Sequence, residues 1–487
     1  MREDKLKTQG QLVLPLGGMV LLILLFVLMR YPGYATNTTY LGAILALQIA
    51  LASLSRFREV FFPLLMGTFL WAGSFLPFYG TGMSLRWLFL AVGALGGFII
   101  WIKSQRQRHF GAFHLVSGFC VISALVSAIV SETPKIAVLK ALSLTMLFLY
   151  ASSGGRLALA GRESKFVNGL VLACEVLVYF SAVSYFVLGF AVFGNPNALG
   201  AIIGVIAAPV LLWAAVVSEK PETRHRRFFA LALCGVLLYY ASSRASILGV
   251  TVAVLLFTVA LRHQRLLFQA VFLSVFFLAI MAVINPSHMD DLASSLTGRI
   301  IYKESGRHPG VFGSRRSPWE DTVAVIRKHP WFGSGFGTSE LGELRPEIGQ
   351  SSIYTLEGTN REHGNSYLAL AEYMGLLGAV PFLLLLFMLL GTLTRVYAWM
   401  RRTGNPYHYA IPFALVTTSG LVHAAFEDWL FAVGSYLCVF FWVAAAMLMD
   451  LVPMAEPARS MPAHVPSATQ SYDAECLGAS VNQALGA

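Results

Sequence analysis

The sequence predicts an all-α integral membrane protein of about 12–14 transmembrane helices with one long polar loop containing short helices. Three observations carry that prediction. The 487 residues are 56% hydrophobic and only 12% charged, with a mean hydropathy of +0.67, the composition of a chain whose main solvent is lipid. Apolar runs near the roughly 20 residues needed for a span recur along most of the length. One polar interruption, Asn285 to about Asn365, breaks that pattern and holds nine Lys and Arg residues: Arg299, Lys303, Arg307, Arg315, Arg316, Arg327, Lys328, Arg345 and Arg361.

In chain order, the candidate spans are 11–29, 37–54, 59–78, 84–102, 112–130, 135–151, 166–190, 197–217, 228–241, 244–261, 265–284, 366–393, 409–424 and 429–450. They divide the chain into an N-terminal transmembrane bundle of about eleven spans (1–284), the loop (285–365), about three C-terminal transmembrane helices (366–450) and a tail (451–487). The run 11–29 follows a basic start but is longer than a secretory signal core and lacks a small-x-small cleavage site, so it is read as a retained span. The tail is rich in Pro, Ala and Ser without apolar periodicity, and is expected to be disordered and cytoplasmic.

Orientation follows from the basic residues, because short loops rich in Lys and Arg stay cytoplasmic. With the N terminus inside, the inner segments hold Arg2, Lys5 and Lys7; Arg56 and Arg58; Lys103, Arg106 and Arg108; Arg156, Arg162 and Lys165; Lys220, Arg224, Arg226 and Arg227; Arg262 and Arg265; and Arg395, Arg401 and Arg402. The opposing short loops (YPGYATNTTY, FYGTGMS, SETPK, FGNPN, SSRA, FEDW) hold few, and the register places the long basic loop outside. Retention does not explain charge there, and clustered guanidinium groups at a membrane surface suit a phosphate-bearing lipid. Membrane lipids are the immediate surroundings, and no nucleic-acid partner is expected.

Cys120, Cys174, Cys234 and Cys438 fall inside spans and Cys476 in the tail, without metal or disulfide spacing. No Walker loop, dinucleotide fingerprint or zinc pattern occurs, so neither a cofactor nor a metal is expected. No fixed-period repeat or inverted pair of halves is evident, which disfavours common transporter architectures.

Outer-side motifs carry the chemistry. Asn195-Pro196-Asn197-Ala198-Leu199-Gly200 reads as a turn and helix start whose small residues permit close packing. Arg244, in Ser242-Ser243-Arg244-Ala245-Ser246, occupies a helix turn between two apolar runs; it either snorkels to headgroups or serves a site. In the loop, Arg315-Arg316-Ser317-Pro318-Trp319-Glu320-Asp321 starts an amphipathic helix with Trp319, Val323 and Ile326 on its apolar face, ending at His329-Pro330. The alternating glycines of Phe332-Gly333-Ser334-Gly335-Phe336-Gly337 suit either close approach to a ligand or a structural turn. His363-Gly364-Asn365 opens the next span, with His363 either a helix-start residue or a site residue.

The ordered set NPNALG, SSRAS, RRSPWEDTVAVIRKHPWFGSGFG and HGNSYLALAEYMGLLG resembles the O-antigen ligase and polymerase superfamily over roughly Phe193 to Pro381. The resemblance implies a multi-pass protein of the bacterial inner membrane with both termini cytoplasmic and the long loop periplasmic. It implies transfer of a glycan from an undecaprenyl-diphosphate-linked donor to a saccharide acceptor, either the lipid A core in ligases or another lipid-linked repeat in polymerases. Carried over by position, Arg244 with Leu248 matches the family's Arg-x-x-x-Leu, and Arg315 its loop arginine before a Trp, with adjacent Arg316 as an alternative. His363 with Gly375-Leu376-Leu377-Gly378 matches the family's His and downstream Gly-x-x-Gly, although the usual His-Asn is here His363-Gly364-Asn365. Either the turn absorbs the extra residue or His363 has another role.

Fixed guanidinium groups can stabilise charge on a departing diphosphate without a metal, since Arg stays protonated and binds phosphate oxygens bidentately. Arg244 and Arg315 are the expected leaving-group cations. A neutral His363 is the expected general base, with Glu362 or Glu372 as fallback. A single displacement would invert the anomeric centre. Arg316, Asn365, Arg86, Trp319 and Glu427 are expected to bind substrate; Glu427 alternatively pairs with a loop arginine, and Arg86, like Lys135 and Arg30, alternatively snorkels. En bloc ligation is favoured over O-antigen or exopolysaccharide polymerisation. The rival from another class is a flippase for lipid-linked oligosaccharides, which would spread its charges along a cavity facing both sides.

Overall fold

The computed structural model describes residues 38–104, 110–193, 195–263, 313–339 and 363–453, with isolated residues between 19 and 33. The expected span 265–284, nearly all of 11–29, the loop stretches 285–312 and 340–362 with Glu362, and the tail 454–487 lie outside the described residues. What is described is helical, with no strand. The helices are α1 Thr38–Ser53, α2 Phe62–Ala72, α3 Tyr79–Lys103, α4 Ala112–Ile129, α5 Pro134–Leu159, α6 Glu163–Phe186 and α7 Pro196–Val216. They continue as α8 Pro221–Ala241, α9 Arg244–Ala260, α10 Gly313–Lys328, α11 Ser366–Thr403, α12 Ala410–Ala424 and α13 Tyr436–Leu451.

By length and composition, α3, α4, α5, α6, α7 and α11 can each cross a membrane, and α9, α12 and α13 are shorter apolar helices. Their outer faces are what lipid requires. Leu115, Phe119, Ile122 and Val126 on α4, Leu172, Val176, Phe180 and Val183 on α6, and Val380, Leu383, Leu384 and Phe387 on α11 are all exposed at helical spacing. Such continuous apolar stripes are unsustainable in water. The chain is an all-α integral membrane protein.

Three elements depart from the hydropathy reading, each for a local reason. The run 59–78 yields only Phe62–Ala72 as α-helix, entered by a π turn at Phe57–Phe61 and left through turns that end at Phe78 with φ +61°. The run 429–450 becomes helical only at Tyr436, because Ser435 caps that helix by accepting from Leu437 N and residues 429–435 close two tight turns instead. The run 366–393 continues to Thr403, where Gly404 at φ +66° ends it.

Close helix contacts come from small residues, as the motifs suggested. Asn195 Oδ1 accepts from Asn197 N at 2.8 Å to cap α7, and a Cβ on Gly200 or Gly204 would stand 2.3 Å or 2.7 Å from the Cβ of Ser243 or Ser246 at the start of α9. NPNALG and SSRAS are thus two sides of one contact, which fixes the helix turn that carries Arg244. One turn further along α9, a Cβ on Gly249 would meet Ser419 O of α12 at 2.8 Å.

Candidate functional site

The loop end of the bundle is assembled on a break in α11. Gly375 has φ +62° and ψ −177°, a conformation open to glycine alone, so the helix opens there and its backbone groups need other partners. The loop segment 330–335 supplies them. Ser334 N donates to Glu372 O at 2.9 Å and Gly335 N to Tyr373 O at 3.2 Å, while Leu376 N and Leu377 N donate to Pro330 O and Trp331 O at 2.7 and 3.2 Å. Ser127 Oγ of α4 adds bonds to Phe332 O and Tyr373 O. The glycines are needed for this approach: a Cβ on Gly333 would sit 2.4 Å from Tyr373 C, and one on Gly375 2.4 Å from Trp331 C. The alternating glycines therefore bring the loop against the chain itself. The break aims Glu372 and Tyr373 inward.

His363 lies at the centre, 1% exposed. Its Nδ1 is 3.0 Å from Asp428 Oδ2, which also accepts from the His363 backbone N at 2.8 Å, and its Nε2 faces Glu372 Oε2 at 3.3 Å, off hydrogen-bond alignment. Tyr373 stacks edge-on at 5.1 Å. Glu372 is fully buried and accepts from Ser339 Oγ through its other oxygen. Burial alone would lower the pKa of His363, but the bond to Asp428 and the close carboxylates of Glu372 and Asp428 outweigh it and raise the pKa above 6.5. Asp428 is likewise pulled by burial towards the neutral form, yet the His363 bonds and charge hold its pKa below 3.8. The two carboxylates thus favour the charged form of His363 more than an isolated imidazole would.

Gly364, between His363 and Asn365, has φ +63°. Its carbonyl accepts from Trp319 Nε1 at 3.2 Å, and a Cβ there would strike Arg315 Nη1 at 2.8 Å. Asn365 caps α11, its Oδ1 accepting from Tyr367 N and Leu368 N at 2.9 and 3.1 Å.

Helix α10 separates the two adjacent arginines. It begins at Gly313, before the expected start, so that Pro318 lies inside it and Thr322 and Val325 are its most buried residues, with Trp319, Val323 and Ile326 partly covered. Arg315 turns inward and pairs with Glu427, next to Asp428. Arg316 turns outward, 73% exposed, to Glu320 one turn on. Arg244, half-buried at the start of α9, lies within reach of the Arg315 charge. The structure thus draws Arg315, Glu427, Asp428 and His363 into one continuous chain of contacts, with Arg244 in its field, and leaves Arg316 outside.

Beside this chain lies a cavity of ≈ 440 Å³ at the same end, reached by Arg86, Lys140, Tyr373, Ser366 and Asp428, with Trp87, Phe336 and Phe431 as apolar wall. Arg86 is a lining residue, its Nη1 donating to Gly434 O at 2.7 Å and its guanidinium 4.9 Å from the Trp87 ring. Lys140 was not singled out by sequence reasoning. Its signal is a lone ammonium inside the apolar run Ala137-Val138-Leu139-Lys140-Ala141-Leu142.

Residues 229–383 match the family model described as O-antigen ligase. That stretch holds Arg244, Arg315, His363 and Glu372, and stops before Asp428. No curated protein matches the chain. The match takes in SSRAS, RRSPWEDTVAVIRKHPWFGSGFG and HGNSYLALAEYMGLLG in the order that carries the resemblance, with NPNALG lying before it, and it supports similarity to the O-antigen ligase and polymerase superfamily over that stretch.

Proposed function

We propose that this chain is a membrane glycosyltransferase that moves a glycan from undecaprenyl diphosphate to a saccharide acceptor on the periplasmic face, by inverting, metal-independent, ligase-type transfer. The observation that carries the reading is the inward turn of Arg315 to Glu427, with its charge acting on Arg244, beside the His363–Asp428 couple. Two guanidinium groups whose charges act on one another concentrate positive potential at one place, and a diphosphate, which guanidinium binds bidentately, is the ligand such a place suits. In the transfer, the acceptor hydroxyl oxygen forms a bond to the anomeric carbon while the bond from that carbon to the diphosphate oxygen breaks. The electron pair departs with the phosphate, where Arg244 and Arg315 stabilise it. The hydroxyl proton goes to Asp428, the cavity-facing member of the couple, whose carboxylate is oriented by His363.

The test is deletion of the gene with mass spectrometry of undecaprenyl-diphosphate-linked glycans, their sidedness read with an impermeant reagent. Periplasmic donors bearing long chains should accumulate; single repeats would indicate a polymerase, and donors trapped on the cytoplasmic face a flippase. In the purified protein, Arg315→Ala should lower turnover by about 10²–10³-fold while Arg316→Ala stays near wild type. Equal losses in both variants would sink the assignment of the inward arginine. Turnover should survive EDTA and give a product of inverted anomeric configuration.

A further inference from the structure

The cavity beside the His363–Asp428 couple carries more positive charge than its walls balance. Arg86 and Lys140 both reach it, and neither makes an ion pair with a carboxylate among the described residues. Lys140 Nζ donates to Gly337 O and Arg86 Nη1 to Gly434 O, so each is anchored by a backbone carbonyl, which fixes position without neutralising charge. An ammonium has three donors and a guanidinium five, leaving most of them for another partner. Arg86 Nε is buried with no hydrogen-bond partner, a cost that a bound acceptor atom would remove. Asp428, the one carboxylate on the cavity among the described residues, is already engaged by His363.

From this arrangement we infer that the cavity is a subsite for an anionic substituent, a carboxylate or phosphate, carried by the saccharide rather than by the lipid leaving group. The inference rests on the glycosyl-transfer reading, which gives the diphosphate to Arg244 and Arg315. Two features favour the sugar. The wall of Trp87, Phe336 and Phe431 offers aromatic surface for a sugar face, and the ≈ 440 Å³ volume accommodates a sugar ring together with its charged group. Arg86, Lys140 and the turn Asp428–Gly434 also lie outside the stretch that matches the family, 229–383, as expected of parts that select this chain's own glycan rather than perform the shared chemistry.

Binding to the full-length protein in lipid nanodiscs tests this, with glucuronate, glucose 1-phosphate and glucose as sugar probes and farnesyl diphosphate as the leaving-group probe. Both acidic sugars should bind about tenfold or more tightly than glucose, the worth of one charged hydrogen bond. Arg86→Gln and Lys140→Gln should each erase that preference and leave farnesyl diphosphate binding unchanged, and Lys140→Arg should keep it. Equal binding of glucose and glucuronate to the wild-type protein would overturn the inference without recourse to any variant. So would cavity variants that weaken farnesyl diphosphate and spare glucuronate, since the cavity would then hold the diphosphate. Should Arg315→Gln leave farnesyl diphosphate binding intact while the cavity variants lose glucuronate, the leaving-group assignment fails and the acidic-sugar subsite stands.

Discussion

His363 is held from both sides by carboxylates, and that decides which way its proton equilibrium runs. Asp428 and Glu372 raise its pKa above 6.5 against the opposing effect of burial. A group whose pKa is raised on folding contributes stability that is fully present below its unfolded value, near 6.5, and lost as pH rises through the folded value. Asp428 runs the other way, its contribution present above about 3.8 and lost as pH falls through its lowered pKa. If the imidazolium orients Asp428, kcat/KM should fall as pH rises through the raised pKa of His363, and His363→Gln should flatten that alkaline limb while lowering turnover by about 10²-fold. A profile that instead climbs over the same range would make the neutral imidazole the base. The histidine itself was legible in the sequence because it stands at a polar-to-apolar boundary after a basic loop. Its partners were less so: Asp428 lies 65 residues further on, and only the fold brings it to the ring. The choice between Arg315 and Arg316 was likewise closed to sequence, since adjacent residues on a helix differ only in which way that helix is turned.

At the scale of elements, the broken helix α11 builds the site. Hydropathy runs unbroken across Gly375, so the apolar pattern predicts a continuous span, and the glycines that mark the break are equally common where helices merely pack closely. What distinguishes Gly375 is a backbone angle that no other residue adopts cheaply and a loop that bonds to the opened turn. Gly375→Ala should therefore cost at least about 1–3 kcal/mol in backbone strain, with a further penalty from the contact with Trp331. The expected result is a lowered unfolding midpoint in detergent together with lost activity, because Glu372 and Tyr373 hang on the same turn. Gly391 lies in the same helix with open space around its Cα, so Gly391→Ala should leave both quantities near wild type or slightly improved. A tolerant Gly375→Ala would mean that the break is not required.

Across the whole molecule, charge is treated differently at the two ends of the bundle. Far from the cavity, near the last turn of α13 and about 20 Å along its axis from the site end, Arg156 is 1% exposed and meets Asp450 through two bonds of 2.7 and 2.8 Å. The Trp101 ring covers its guanidinium at 4.3 Å. This cation is neutralised by the chain itself, whereas Arg86 and Lys140 at the cavity are anchored only by carbonyls. Sequence alone classed Arg156 as one more inner-loop retention charge, because its partner comes from the last helix. Breaking the pair takes from the largely covered Asp450 its guanidinium partner, so Arg156→Ala should destabilise the fold by about 3–5 kcal/mol and reduce the yield of folded protein. Replacing both partners, as in Arg156→Met with Asp450→Leu, removes the stranded charge and should restore most of that stability. The molecules that do fold should then turn over at the wild-type rate, since nothing at the cavity has changed. A restored double variant without activity would mean instead that the far end takes part in the reaction cycle, as it must in a protein that carries its substrate across the bundle.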